Sequence, residues 1–174
     1  MNKQRFAVCL AALASSLPLS AQANNFDYNF FEVRMGMSPE TAGVEASTLI
    51  TENLHLVGRI DSKLDHDWDA AAGIGFNGPI NQFADVYGQL LVHNIQESEE
   101  DGDDNNTQAE INIGVRLWLS DQLEATGRIG KNDERSVFHA GVRFHSTNQL
   151  SLSAEARNNG VYGPQAVMSV RFQY

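Results

Sequence analysis

Pro164-Gln165-Ala166-Val167-Met168-Ser169-Val170-Arg171-Phe172-Gln173-Tyr174, the last stretch of the 174-residue chain, alternates between two chemistries. In an extended strand Ala166, Met168, Val170, Phe172 and Tyr174 share one side, while Gln165, Ser169, Arg171 and Gln173 share the other. A half-buried strand of a soluble sheet alternates in the same way, so this stretch alone leaves open what its apolar side faces. The same dyad recurs along nearly the whole chain, in segments of about ten residues, behind a segment that reads as an export signal. Together these features predict an all-β fold, an up-and-down antiparallel transmembrane β-barrel.

The export signal is read from Met1-Asn-Lys-Gln-Arg5, an apolar stretch from Phe6 to Leu19, and the small-x-small site Ala21-Gln22-Ala23. The expected organisation is a signal peptide over 1–23 and a barrel over 24–174. The apolar stretch is shorter than the ~20 residues of a spanning helix. The sole cysteine, Cys9, falls inside it. A mature chain without thiols has no disulfide, no cysteine metal site and no thiol chemistry. Losing 1–23 removes Lys3 and Arg5 and no acid, so the net charge of −10 becomes −12. That balance disfavours a nucleic-acid partner. No later apolar stretch reaches the ~18 residues of a membrane helix, whereas a barrel needs only alternate residues to be apolar.

Ten strands are expected, at 28–37, 41–50, 54–64, 68–77, 84–95, 108–119, 123–130, 136–145, 149–158 and 164–174, with eight as the alternative count. In the clearest of them, Ala109, Ile111, Ile113, Val115, Leu117 and Leu119 oppose Glu110, Asn112, Gly114 and Arg116. Segment 84–95 is mixed, because Tyr87, Leu91 and Ile95 share a side with Gln89 and His93. An internal echo supports hairpin units: Ile50-Thr-Glu-Asn-Leu54 through Gly58-Arg59 matches Leu119-Ser-Asp-Gln-Leu123 through Gly127-Arg128, with 146–149 a weaker third copy. Connections at 51–53, 78–82, 120–122 and 146–149 then lie with both chain ends on the periplasmic side. Those at 38–40, 65–67, 96–107, 131–135 and 158–163 lie outside. Phe31, Phe76, Phe144, Phe172 and Tyr174 form one lipid-facing aromatic ring, and Trp68 with Phe138 the other, while Trp118 has inward parity.

The polar parity carries Glu32, Arg34, Glu45, Arg59, Asp61, Lys63, Glu110, Arg116, Glu124, Arg128, Arg143, Glu155, Arg157 and Arg171. Opposite charges in a narrow lumen pair, because an unpaired buried charge is costly. At eight to ten strands the lumen holds little more than its own side chains. A plugged interior is therefore expected, with a small-solute pore as the alternative.

The export signal, the dyad strands, the Gly-Arg pairs and the aromatic end Val170-Arg-Phe172-Gln-Tyr174 resemble the small outer-membrane barrels of Gram-negative bacteria, the Ail and OmpX-like group of OmpA-type barrels. The resemblance spans 24–174 and rests on pattern, with no signature site. It implies a monomer in the outer membrane, in contact with lipid and lipopolysaccharide, whose last aromatics Phe172 and Tyr174 are read by the barrel-assembly machinery. It also implies a structural or surface-interaction role, with loops that bind an extracellular ligand of unstated identity. That group usually has eight strands and longer loops, so its adhesion and complement-resistance activities are not carried over.

Glu97, Glu99, Asp101 and Gly102 follow the spacing that opens a calcium loop, with Asp103 beside them. The twelfth position is Gln108 instead of a bidentate glutamate, which leaves a weak divalent-cation loop beside a solvated acidic one. An outer-membrane enzyme is a second alternative. The lipid A deacylases resemble this chain in size, and His145, Thr147 and Glu155 match their motif only approximately. The omptin proteases resemble it in strand number, with Asp65, His66, Asp67, His93 and His139 as the groups that gather at the mouth. No nucleotide loop, zinc spacing or serine elbow is present, and neither a cofactor nor catalysis is expected.

The last strand must close the sheet against the first, since open edges are not tolerated in hydrocarbon. Removing Arg171 to Tyr174 is expected to abolish outer-membrane insertion, and Tyr174→Phe to preserve it. Heat-modifiable, protease-resistant material from the truncated chain in membrane fractions contradicts this.

Overall fold

The structure, a computed structural model, describes residues 26–63, 67–99 and 102–174, with the backbone alone at 97–99 and 102–105. The expected signal segment, Leu64, Asp65, His66 and Asp101 lie outside the described residues. Ten strands run β1 Phe30–Met37, β2 Thr41–Thr51, β3 Leu54–Lys63, β4 Trp68–Asn81, β5 Ala84–Glu99, β6 Gly102–Ser120, β7 Leu123–Asn132, β8 Arg135–His145, β9 Leu150–Asn158 and β10 Pro164–Gln173. Each pairs antiparallel with its chain neighbour, and β1 pairs with β10 from Phe30↔Gln173 to Met37↔Ala166, so the sheet is a closed up-and-down barrel.

The burial pattern shows which side faces what. Along β1 it alternates strictly, with Phe30, Glu32, Arg34 and Gly36 buried and Phe31, Val33, Met35 and Met37 exposed. The charged residues are inside and the apolar ones outside, the reverse of a soluble protein. Met35 is 67% exposed and Ile129 66%, whereas Arg34 and Arg59 are each 3% exposed. An apolar outside and a polar inside on a closed sheet are the physics of a membrane-spanning barrel. Phe31, Phe76, Phe144, Phe172 and Tyr174 are exposed toward the end where the described chain enters and leaves, called the floor below. Phe83 joins them there, and Trp68 and Phe138 stand near the opposite mouth.

Several connections differ from the sequence expectation. The segment 96–107 is no loop. Strands β5 and β6 stay paired through Glu97↔Asp104, Ser98↔Asp103 and Glu99↔Gly102, well beyond Trp68↔Gln96 and Glu110↔Asn132, where their outer neighbours let go. A two-stranded ribbon in water needs cross-strand hydrogen bonds but no apolar face, so its strands carry no dyad to be read. Expected turns at 78–82 and 131–135 shorten likewise, because β4 continues to Asn81 and Asp133 makes a tight turn at φ 49°.

The internal echo is structural. Hairpins β2–β3 and β6–β7 shift register at Leu49/Thr51 and Trp118/Ser120 and turn over the next two residues. The third copy is β4–β5, with its shift at Pro79/Asn81 and its turn at Gln82-Phe83, and not 146–149. In two copies a side chain closes the turn, Thr51 Oγ1 accepting from Asn53 N at 3.4 Å and Asn81 Oδ1 from Phe83 N at 2.8 Å.

Ile113 is 56% exposed and pairs with Gly88 and Ile129 at mid-height. Ile113→Arg is expected to cost about 2–4 kcal/mol in liposome-folding titrations, and Ile113→Val less than about 1.5 kcal/mol.

Candidate functional site in the barrel lumen

A barrel of ten strands is too narrow for an aqueous channel of open-porin width, and its inward side chains meet one another. They do so mainly through carboxylates shared between cations. Asp61 on β3 accepts from Arg34 Nε at 3.0 Å and from Arg157 Nη2 of β9, across the lumen, at 2.8 Å. Glu32 on β1 accepts from Arg171 at 2.6 Å and from Arg143 of β8 at 2.8 Å. Arg143 also reaches Glu155 at 3.3 Å, whose other oxygen lies 3.1 Å from His139 Nε2. Arg34 holds Glu45 as well.

Higher up, His93 stands between two acids, Nδ1 at 2.8 Å from Asp69 and Nε2 at 3.0 Å from Glu110, and Arg59 donates to Glu110 at 3.1 Å. Glu124, nearer the floor, accepts from Arg116 at 2.7 Å and contacts His145 at 3.0 Å.

Most of the expected lumen charges thus meet in pairs or trios, with two exceptions. Lys63 lies at the rim and pairs with Asp67 at 3.2 Å. Arg128 is buried, but its partner is an amide: Nη1 donates to Gln89 Oε1 at 3.1 Å, and Nε has no acceptor. Arg128 makes no carboxylate contact: its neighbours on the wall are Gly114 of β6 and His139 of β8, and the side chain it reaches is Gln89 of β5.

Sequence reasoning missed Asp69 and Asp85, both inward and buried. The run Ala70-Ala71-Ala72 puts small residues on both sides of β4, so the dyad fades there. Asp85 directly follows a turn and was not assigned to either face.

The floor is closed by residues that precede β1, packed against side chains of the strands. Phe26 to Asn29 precede β1, yet Phe26 is 2% and Tyr28 4% exposed. The segment leaves the wall at Asn29, whose backbone carbonyl accepts from Tyr174 N and whose side chain accepts from Leu49 N at 2.8 Å. It then crosses the lumen to β5 and β6, the side opposite β1. The Tyr28 hydroxyl donates to Asp85 Oδ2 at 2.7 Å, and Arg116 Nη1 donates to the Asp27 carbonyl at 3.0 Å.

Arg116 lies 5.0 and 5.1 Å from the Phe26 and Tyr28 ring centroids, Tyr28 stacks on His55 at 4.5 Å, and Phe26 stacks on Trp118 at 5.8 Å. This accounts for the inward parity of Trp118, which completes the floor cluster with Tyr87 and Leu49. Burial pushes the Tyr28 phenol well above its ordinary range, so it acts as a neutral donor. Two inward glycines leave room for the rings, since a Cβ on Gly75 collides with His55 and one on Gly114 with Tyr87.

The opposite mouth is covered by 159–163. Tyr162 donates to the Asp61 carbonyl at 3.2 Å, and Arg135 donates to the Gly160 carbonyl at 3.1 Å. Between floor and mouth the side chains leave a cavity of about 60 Å³, lined by Tyr28, Gln89, Thr126, Arg128 and the charges around them. At roughly 10–15 Å³ per water it holds a handful.

Asp65 and His66 of the protease reading lie outside the described residues, and the other histidines of the enzyme readings have partners in the barrel. His145 is occupied by Glu124 and by Trp118 at 4.6 Å near the floor, away from Glu155. His93 lies inside the barrel, and no nucleophile stands beside its acids among the described contacts. For the cation loop, Glu97, Glu99 and Asp103 lie on the paired β5–β6 ribbon, and Asp101 lies outside the described residues. No grouping of metal-ligating residues occurs among the described residues.

No family profile matches the chain, and neither does any curated protein. Among solved structures it is similar to the KdgM porin in complex with disordered oligogalacturonate, at 5% identity, with 83% of this chain and 99% of that one covered and a TM-score of 0.54. The KdgM porin alone gives 6% identity, 83% and 98% coverage and a TM-score of 0.51. At such identities the likeness is one of fold. The chain therefore has the closed-barrel fold of outer-membrane porins, and the resemblance to the Ail and OmpX-like group holds at that coarser level.

Asp61 joins two arginines across the lumen, whereas Glu45 holds Arg34 alone. Asp61→Asn is expected to cost about 3–5 kcal/mol in urea titration from liposomes, and Glu45→Gln measurably less. Equal losses contradict the shared-carboxylate account.

Proposed function

We propose that this chain is a small-solute pore of a Gram-negative outer membrane, closed in the described state by its own segment 26–29. The observation that carries the reading is the floor. It is shut by residues that precede β1, cross the lumen and are held by side-chain and backbone hydrogen bonds, ring stacking and the Arg116 guanidinium, with no strand pairing among these contacts. Above it lies a cavity lined by ionised groups. Withdrawing the segment exposes that cavity to water without breaking any strand pairing. The fold likeness to a porin supports this reading over the purely structural role expected from the sequence. Surrounding lipid and lipopolysaccharide, insertion by the barrel-assembly machinery through Phe172 and Tyr174, and a monomeric state belong to the same proposal.

The structural reading is the second one, favoured by the cross-lumen pairs Arg157–Asp61 and Arg143–Glu32, which occupy the bore. In that case the ribbon around Glu99↔Gly102 and the loop 159–163 offer the surfaces for a partner.

Planar-bilayer recording of the refolded chain separates the two. The wild type is expected to be mostly closed, and the Phe26→Ala, Tyr28→Ala double variant to show at least tenfold more open time at unchanged heat-modifiable mobility. Silence from a folded double variant returns the chain to the structural reading.

A further inference from the structure

We infer that Arg128 and the cavity beside it form a binding site for a small monocarboxylate anion. Each of the other lumen-facing arginines contacts at least one carboxylate oxygen within 3.1 Å among the described residues. Arg128 contacts none. It is 8% exposed, its Nη1 is spent on the neutral Gln89, and its Nε–H has no acceptor. The carboxylates that feel its field are Glu45 and Glu110, and each already serves another arginine, Arg34 and Arg59.

A buried guanidinium with no carboxylate in contact is an expensive thing to keep, and removal from water favours any anion that can reach it. A guanidinium edge binds a carboxylate through paired N–H donors, the geometry in which arginine surpasses a point charge. The cavity of about 60 Å³ that Arg128 lines has room for a group of acetate size, and the carboxylates that also line it, Glu32, Glu45, Glu124 and Glu155, are each already in contact with another arginine. Gln89 and Thr126 line the same space, one beside Arg128 in hydrogen-bond contact and the other two residues before it on β7. The site rests on the lumen's pairing and not on the barrel being conductive. Conduction, where it occurs, acquires a preference for carboxylates from it.

The test is the stability of the refolded full chain in liposomes, measured by urea titration at constant ionic strength while acetate replaces chloride. Folding assembles the site around the anion, so no entry path is needed. Binding to the folded state alone raises the folding constant about elevenfold when acetate is at ten times its Kd. The wild type is expected to gain stability as acetate replaces chloride, and Arg128→Gln to show no such gain.

Gln89→Glu supplies an internal counter-charge and is expected to remove the acetate dependence while the barrel stays folded, which guards against a variant that merely unfolds. An acetate response of equal size in wild type, Arg128→Gln and Gln89→Glu overturns the site. A chloride preference in the wild type overturns the carboxylate assignment. An acetate-binding barrel whose folded Phe26→Ala, Tyr28→Ala variant is silent in bilayers sustains this inference while the pore reading fails, and a variant that conducts in a barrel without acetate dependence does the reverse.

Discussion

A backbone amide that faces hydrocarbon has no water to bond, so every strand in such a place must have a partner on each side. The β1–β10 pairing, from Phe30↔Gln173 to Met37↔Ala166, removes the two edges that an open ten-stranded sheet keeps. Everything else in this molecule follows from that closure. It fixes the bore at the width of side chains, puts the inward residues of opposite strands within reach of each other, and leaves the apolar residues with nowhere to go but outward.

Once the bore is that narrow, electrostatics governs the interior. Arg157 of β9 and Asp61 of β3 are 96 positions apart in sequence and 2.8 Å apart in space. A carboxylate shared by two guanidiniums is held by both, and each guanidinium keeps a counter-charge at little cost in volume. The same narrowness lets a short segment close the floor, because a few aromatic rings span it. Trp118 breaks the outward-apolar pattern to meet Phe26 there, and Gly75 and Gly114 give up side chains to make the space. Arg128 stands apart from this pairing: its neighbours on the wall are Gly114 and His139, and the side chain it reaches is Gln89.

The cross-lumen ion pairs and the segment 26–29 close the barrel in different ways. A barrel shut by its strands alone is a scaffold, whereas one shut by a segment from outside the strands has a part that can move independently of the wall. The proposed pore reading rests on that difference. The backbone of Glu97, Glu99 and Asp103 belongs to the paired β5–β6 ribbon.

The strands were legible in the sequence because lipid outside and polar groups inside impose a two-residue period that no other environment reproduces over ten segments. Their number, parity, hairpin echo and aromatic girdles were read from that period, and so was the inward set from Glu32 to Arg171. The period faded wherever its cause was missing, in the ribbon above the membrane, in the alanine run of β4 and at the turns. Which arginine meets which carboxylate, why Arg128 meets none, and that Phe26 and Tyr28 cross the floor were decided only by the tertiary structure. Parity says which way a side chain points, but the partner it meets depends on the curvature and register of a closed sheet, and these exist only when all ten strands are in place.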